Sequence, residues 1–245
     1  DLASYDAQEL ARLSGVSKST VSRFVRRLGF ETYESARRAA REERQKGSRH
    51  FLAHAESIPP EQQLATSLQE ELENVSRTFE RIETAELDQL ATAVVSARKV
   101  WIAGYRISHS FASYVYWQLV KVVPDASLIP QAGESLGEHF AAMQADDVVI
   151  WIALRQRMGN TDPALAHLAQ QGITTALISD DGTEPDTRVN WHFRCRIETS
   201  SPQFNHASVM SLCHQIVTRA TLTAGLEGRT RLRRIDQFNT DLGEV

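Results

Sequence analysis

Apolar residues recur at three- to four-residue intervals through the first third of the chain, then give way to short unbroken runs separated by helix-spaced stretches. The first pattern predicts helices, and the second predicts strands buried on both faces of a sheet. Ala7, Leu10 and Ala11 share one face of a helix over 7–13, opened by Asp6 as N-cap with Glu9 three residues on for the reciprocal bond. Gly15 supplies the left-handed residue of a sharp turn, and Val16 is expected to plug the corner. Ser17 then caps a second helix running to Leu28, with Val21, Phe24, Val25 and Leu28 as its inward stripe and Gly29 as its stop. Residues 34–46 are charged and helix-favouring. Pro59-Pro60 breaks the chain before helices over 61–82 and 84–96, and in the first of these Leu64, Leu68, Leu72, Val75 and Phe79 keep helical spacing.

From Lys99 the runs at 100–103, 127–129, 148–154, 174–179 and 192–197 read as strands. They alternate with helices over 108–122, 135–144 and 162–171, and a closing helix runs over 205–224. The fold class expected is α/β: a small all-α helix-turn-helix domain over 1–45, a linker over 46–60, and a doubly wound, mostly parallel domain over 61–245 with two leading helices. In such sheets ligands lie beyond the carboxyl ends of the strands, where helix N-termini present unpaired N–H groups. That singles out the loops at 104–109, 155–161 and 198–204.

Charge sharpens the first domain. Of the 27 Lys/Arg and 31 Asp/Glu, eleven and seven lie in residues 1–50, so the remaining 195 residues are strongly acidic and the first fifty basic. The outward residues of the second helix, Lys18, Ser19, Ser22, Arg23, Arg26 and Arg27, include no acid, and Ser17 and Thr20 complete a face suited to phosphates and base edges. The bland alternative is a solvated helix in a helical hairpin. The chain opens at Asp1 rather than Met, and an upstream segment is expected. Two cysteines, Cys195 and Cys213, are too few for a disulfide framework or a zinc site, and the longest apolar run spans seven residues, 148–154, against the roughly 20 that cross a bilayer. A cytoplasmic protein is expected. With no Walker loop, G-x-G-x-x-G, H-E-x-x-H or clustered metal ligands, no cofactor or metal is expected.

The run Glu9-Leu10-Ala11, Gly15-Val16-Ser17, Thr20-Val21-Ser22-Arg23-Phe24, Leu28-Gly29-Phe30 and Tyr33 resembles the N-terminal domain of the RpiR family of regulators, over residues 7–38. Gly104-x-x-x-Ser108, the loop ending Asn160-Thr161, Ile178-Ser179-Asp180 and Glu198-Thr199-Ser200-Ser201-Pro202 resemble a sugar isomerase (SIS) domain, which RpiR regulators carry C-terminally. The resemblance implies a DNA-binding regulator that senses a phosphosugar. Its effector site would take Gly104, Tyr105, Arg106 and Ser108 from the first loop, Arg155, Gln156, Arg157, Asn160 and Thr161 from the second, and Glu198 and Ser200 from the third. The second loop departs from the family in having lost most of its serines. Arg155 and Arg157, with Arg106, place fixed positive charge there instead, suited to a phosphate or a sugar carboxylate. Their structural alternative is pairing with Asp162 or Glu138.

A regulator needs two recognition helices to select a site, so a homodimer or larger homo-oligomer is expected, with Tyr114, Trp117 and the helix at 205–224 as its face. The competing reading is a phosphosugar isomerase-like enzyme, for which Glu138, His139, Glu198 and His206 are the candidate bases. Trp101, Trp117, Trp151 and Trp191 read as core or interface residues.

Overall fold

The computed structural model describes residues 2, 5–45, 60–155, 159–200 and 203–244. The chain divides into two compact units, one of residues 1–57 and 200–202 and a C-terminal one of residues 58–199 and 203–245. The expected linker, 46–60, lies outside the described residues apart from Pro60.

The N-terminal unit holds three helices, α1 (Ala7–Leu13), α2 (Lys18–Arg27) and α3 (Tyr33–Gln45). Asp6 caps α1 by accepting from the N–H groups of Gln8 and Glu9, both at 2.8 Å, and these bonds hold its carboxyl below the usual range. Ala11, Val21, Val25, Tyr33 and Ala36 form the core, with Ala7, Leu10 and Phe30 packed at its edge. The Tyr33 hydroxyl donates to the Tyr5 carbonyl at 2.9 Å and ties α3 to the entry of α1. The expected stripe of α2 is buried only at its centre. Val21 and Val25 are sealed, whereas Phe24 and Leu28 are about half exposed. Val16, expected as a plug, is 42% exposed; the turn is closed instead by its backbone N–H on the Ala11 carbonyl, with Gly15 at φ +65°. Three short helices offer too little surface to cover both flanks of a four-residue stripe.

The C-terminal unit opens with α4 (Pro60–Phe79) and α5 (Thr84–Ser96). It continues as β1 (Val100–Gly104), α6 (Ile107–Leu119), β2 (Ala126–Ile129), α7 (Leu136–Ala142), β3 (Val148–Ala153), α8 (Thr161–Gln170), β4 (Thr174–Asp180) and β5 (Trp191–Cys195). α9 (Ala207–Thr223) and α10 (Gly225–Leu242) close it. The five strands are all parallel in the order β2-β1-β3-β4-β5. Alternation along each strand feeds two cores. Ile102, Ile150, Ile152, Ile178 and Phe193 face α5, α6 and α9, while Trp101, Val149, Trp151 and Leu177 face α8. The doubly wound sheet expected from the apolar runs is therefore present. Trp101 and Trp151 are core residues, Trp191 is half-buried and Trp117 is 63% exposed.

The helix expected to close the domain at 224 is followed by a further helix, α10, that begins at Gly225. Gly228 is there for close packing: a Cβ would lie 2.7 Å from the Ala224 Cβ and 3.5 Å from Val122. α4 is fixed to the body by polar contacts. Asn74, 3% exposed, donates to the Glu198 carbonyl at 2.8 Å and accepts from Arg196 Nε at 3.1 Å, and the Thr78 hydroxyl accepts from the Arg196 N–H at 2.9 Å. Asn74→Ala leaves those partners unpaired in a buried place. Urea denaturation should register a loss of about 1–3 kcal/mol, and an unchanged midpoint would show that α4 is held otherwise.

Candidate functional site

In the N-terminal unit, the Ser17 side chain accepts from the Thr20 N–H at 3.2 Å and sits 2.8 and 2.9 Å from the hydroxyls of Ser19 and Thr20. Ser22 donates to the Lys18 carbonyl at 3.1 Å. These short hydroxyls are thus already woven into the first turns of α2, with Thr20 and Ser22 half-buried. Lys18, Ser19, Arg23, Arg26 and Arg27 are exposed, because only Val21 and Val25 are needed to seat the helix. The result is a helix about 15 Å long with a cation-bearing outer face.

In the C-terminal unit the strand order reverses between β1 and β3, and the loops that follow these strands border the crevice where such folds bind ligands. Gly104 ends β1, and a Cβ there would meet the Ser108 carbonyl oxygen at 2.6 Å, so only glycine lets α6 start so close to the strand. Ser108 is buried and its hydroxyl accepts from the Leu154 N–H at 3.1 Å, lacing the two loops together at their base. At the rim Asn160 Nδ2 donates to the Tyr105 hydroxyl at 2.9 Å. Thr161 is buried. Between these contacts Arg106 is exposed, at φ +56° and ψ −126°, while the Ser108 N–H reaches the Tyr105 carbonyl at 3.0 Å. That is a turn whose second residue ordinarily has to be glycine. Arginine there stores on the order of 1–3 kcal/mol of strain.

The loop after β3 is anchored by Asp180 at the end of β4, which accepts from the Arg155 N–H at 2.8 Å and the Gly182 N–H at 3.2 Å. The Arg155 guanidinium lies 3.8 Å from the ring centre of Phe204. The structure therefore brings Tyr105, Ser108, Arg155 and Asn160 of the expected site into contact with one another or with shared neighbours. Gln156 and Arg157 lie outside the described residues. Glu198 is held through its carbonyl by Asn74, and Ser200 is half-buried. The carboxylates offered as alternative partners for the arginines are engaged elsewhere: Asp162 pairs with Arg188 at 3.0 Å, and Glu138 accepts from Ser135.

Sequence reasoning missed the roles of Asp180, Phe204 and Asn74, which are legible only once strand ends and loops are placed. Asp181 is also set in this region, its carboxyl pushed up by burial and by the charge of Glu198 against the pull of Arg196 and Arg81. His206 begins α9 half-buried, its ring centre 5.6 Å from that of Phe111, and burial lowers its pKa against the opposing charge of Asp180. His139 stands 2.9 Å from Glu134. Among the described residues no group of His, Cys, Asp and Glu could hold a metal ion, and no helix is long and apolar enough to cross a membrane.

No protein-family model matches the chain. An uncharacterized HTH-type transcriptional regulator from the aarA 3′ region of Providencia stuartii is 26% identical over 192 residues, which are 74% of this chain. The match spans 64% of that relative's length. Among solved structures, the sugar isomerase domain of an RpiR transcription factor from Sphaerobacter thermophilus superposes with a TM-score of 0.65 at 16% identity, over 72% of this chain and 99% of that one. The Vibrio vulnificus NanR protein complexed with ManNAc-6P gives 0.63 at 15% identity, over 99% and 88%. The C-terminal domain of glucosamine-fructose-6-phosphate aminotransferase from Francisella tularensis gives 0.51 at 13%, over 69% and 48%. The C-terminal unit thus has the sugar isomerase domain fold, and the resemblance read from the motifs is met by an HTH-type relative and by RpiR and NanR neighbours.

His206 carries a pH dependence. Its folded pKa lies below the unfolded value of about 6.5, so the unfolded chain binds the extra proton first. Its stabilising effect is complete above that value and is lost as pH falls through the folded pKa. Between pH 7 and 5, wild-type stability in urea should fall more steeply than that of His206→Gln; parallel slopes would remove His206 as the cause.

Proposed function

We propose that this protein is a cytoplasmic DNA-binding transcriptional regulator, with residues 1–45 as the DNA-binding domain and residues 61–245 as an effector domain. The observation that carries the reading is the exposed, acid-free face of α2, bearing Lys18, Arg23, Arg26 and Arg27. Lysine and arginine on such a face neutralise phosphates and release counterions, so binding is expected to weaken steeply with salt. Arg23, at the middle of the helix, is assigned to a base edge, and Ser17, Lys18, Ser19, Thr20 and Ser22 to the backbone approach. The HTH-type relative supports this assignment.

The effector is an anionic sugar phosphate or sugar acid, received between the loops after β1 and β3. NanR, which shares the fold, is complexed with ManNAc-6P. Here Arg106 is exposed at its strained turn immediately before α6. A ligand that favours one arrangement of these loops shifts operator affinity only by its differential affinity for the two states. The protein acts as a homodimer or larger homo-oligomer, because a single helix the length of α2 covers too few base pairs to select a site.

A phosphosugar isomerase-like activity is the second reading, favoured by His206, which burial keeps neutral near pH 7 beside the charge of Asp180. Of the other candidate bases, His139 is engaged with Glu134 and Glu138 with Ser135. Aldose–ketose turnover that disappears in His206→Gln would establish the enzyme and displace the purely regulatory account.

Two outcomes test the regulator. Arg23→Ala should weaken operator binding by about 1–3 kcal/mol in a fluorescence titration while leaving the fold intact; equal affinities for both proteins would withdraw Arg23 as a base reader. Arg106→Gly should raise stability by about 1 kcal/mol through relief of the turn, yet abolish the melting shift given by phosphosugars. Retained ligand shifts in that variant would move the anion site away from Arg106.

A further inference from the structure

One face of α4 is polar where it meets the strand ends. Glu71, Asn74 and Thr78 lie within an arc of about 60° at about 100° per residue, and Arg81, just past the helix end, prolongs the row. Asn205 Nδ2 donates to Glu71, and Asn74 donates to the Glu198 carbonyl and accepts from Arg196 Nε. The Thr78 hydroxyl accepts from the Arg196 N–H, and Arg81 pairs with Asp181 at 3.7 Å. Asp181 follows β4, and Arg196, Glu198 and Asn205 follow β5. Apolar contacts slide with little loss, whereas a hydrogen bond weakens steeply once its angle falls below about 120°. A polar row of this kind therefore holds in only a few discrete arrangements of helix and loop.

One member of the row is also tied to the loop after β3. Phe204 carries the Arg155 guanidinium 3.8 Å from its ring centre, and Asn205 is the next residue. Asn205 Oδ1 accepts from the Ala207 N–H at 2.7 Å, at the start of α9, while Nδ2 reaches Glu71. Both ends of this side chain are engaged, so a shift of Phe204 has to be taken up at one of them. The bond to Ala207 spans two residues and travels with the segment; the bond to Glu71 joins positions 134 residues apart and is the one that yields. We propose that Asn205 passes the state of the crevice to α4. An anion that draws Arg155 off Phe204 releases Glu71, and α4, the first element after residues 1–57, changes its hold on the strand ends. The proposal rests on the effector reading of the preceding section and names the route by which that site acts on the regulator.

The test uses the full chain, with ManNAc-6P as the probe. In wild type it should shift the melting temperature and change operator affinity by about fivefold or more. Asn205→Asp keeps an oxygen for the Ala207 N–H but sets a carboxylate against Glu71; it should retain the melting shift and lose the change in operator affinity. Glu71→Ala, which cuts the same bond without touching α9, should behave alike. In the double variant Glu71→Gln with Asn205→Asp, amide and carboxylate trade places, the bond returns reversed, and the response should return with it. Operator affinity that still responds in both single variants, or no recovery in the double variant, overturns the route and leaves the effector reading standing. A melting shift lost in Asn205→Asp makes Asn205 a ligand contact and also overturns the route. If ManNAc-6P leaves the wild-type melt unmoved, that counts against the effector reading alone, and Phe204→Leu takes the place of the probe. Freeing Arg155 in this way should alter operator affinity by about fivefold or more, and not in the Asn205→Asp background. Equal operator affinities of wild type and Phe204→Leu then overturn the route.

Discussion

All five strands of the sheet run parallel, and the three central ones are buried on both faces. Parallel neighbours cannot be joined by a tight turn, so each return crosses the sheet, as a helix in α6, α7 and α8. Every strand then ends, at its carboxyl terminus, in a loop with little to bury. The interior is mainly apolar, with Trp151 and Phe193 among its largest sealed side chains. Chemistry is left to the strand ends.

Charge at the strand ends is mixed. Arg106 and Arg155 stand in loops that also hold Asp180, Asp181 and Glu198, and one Asp180 oxygen is already spent on the Arg155 N–H. That bond shapes the loop after β3. The turn at Arg106 holds a non-glycine residue at φ +56°, a strained backbone at the exposed end of β1.

The N-terminal unit solves a smaller problem with less material. Its core is Ala11, Val21, Val25, Tyr33 and Ala36, and because α2 spends only two side chains on that core, the rest of its surface is available to solvent or to a polyanion. The same economy leaves Phe24 and Leu28 half exposed. A small three-helix unit trades apolar burial for a wide presenting surface.

The sequence alone determined the two kinds of periodicity, hence a helical unit followed by a parallel sheet, along with the caps at Asp6 and Ser17 and the basic face of α2. Period and capping are local, set by residues within a turn or two of one another, so they survive without knowledge of the neighbours. Tertiary structure decided what long-range proximity decides. It placed Ser108 beneath Leu154 as a lace between loops, gave Asp180 to the Arg155 amide, and packed Gly228 of α10 close to Ala224 and Val122. It also left Leu64, Leu68 and Leu72 in water, although their spacing alone reads as a core stripe. Spacing shows that residues share a face; only the fold shows whether anything stands opposite.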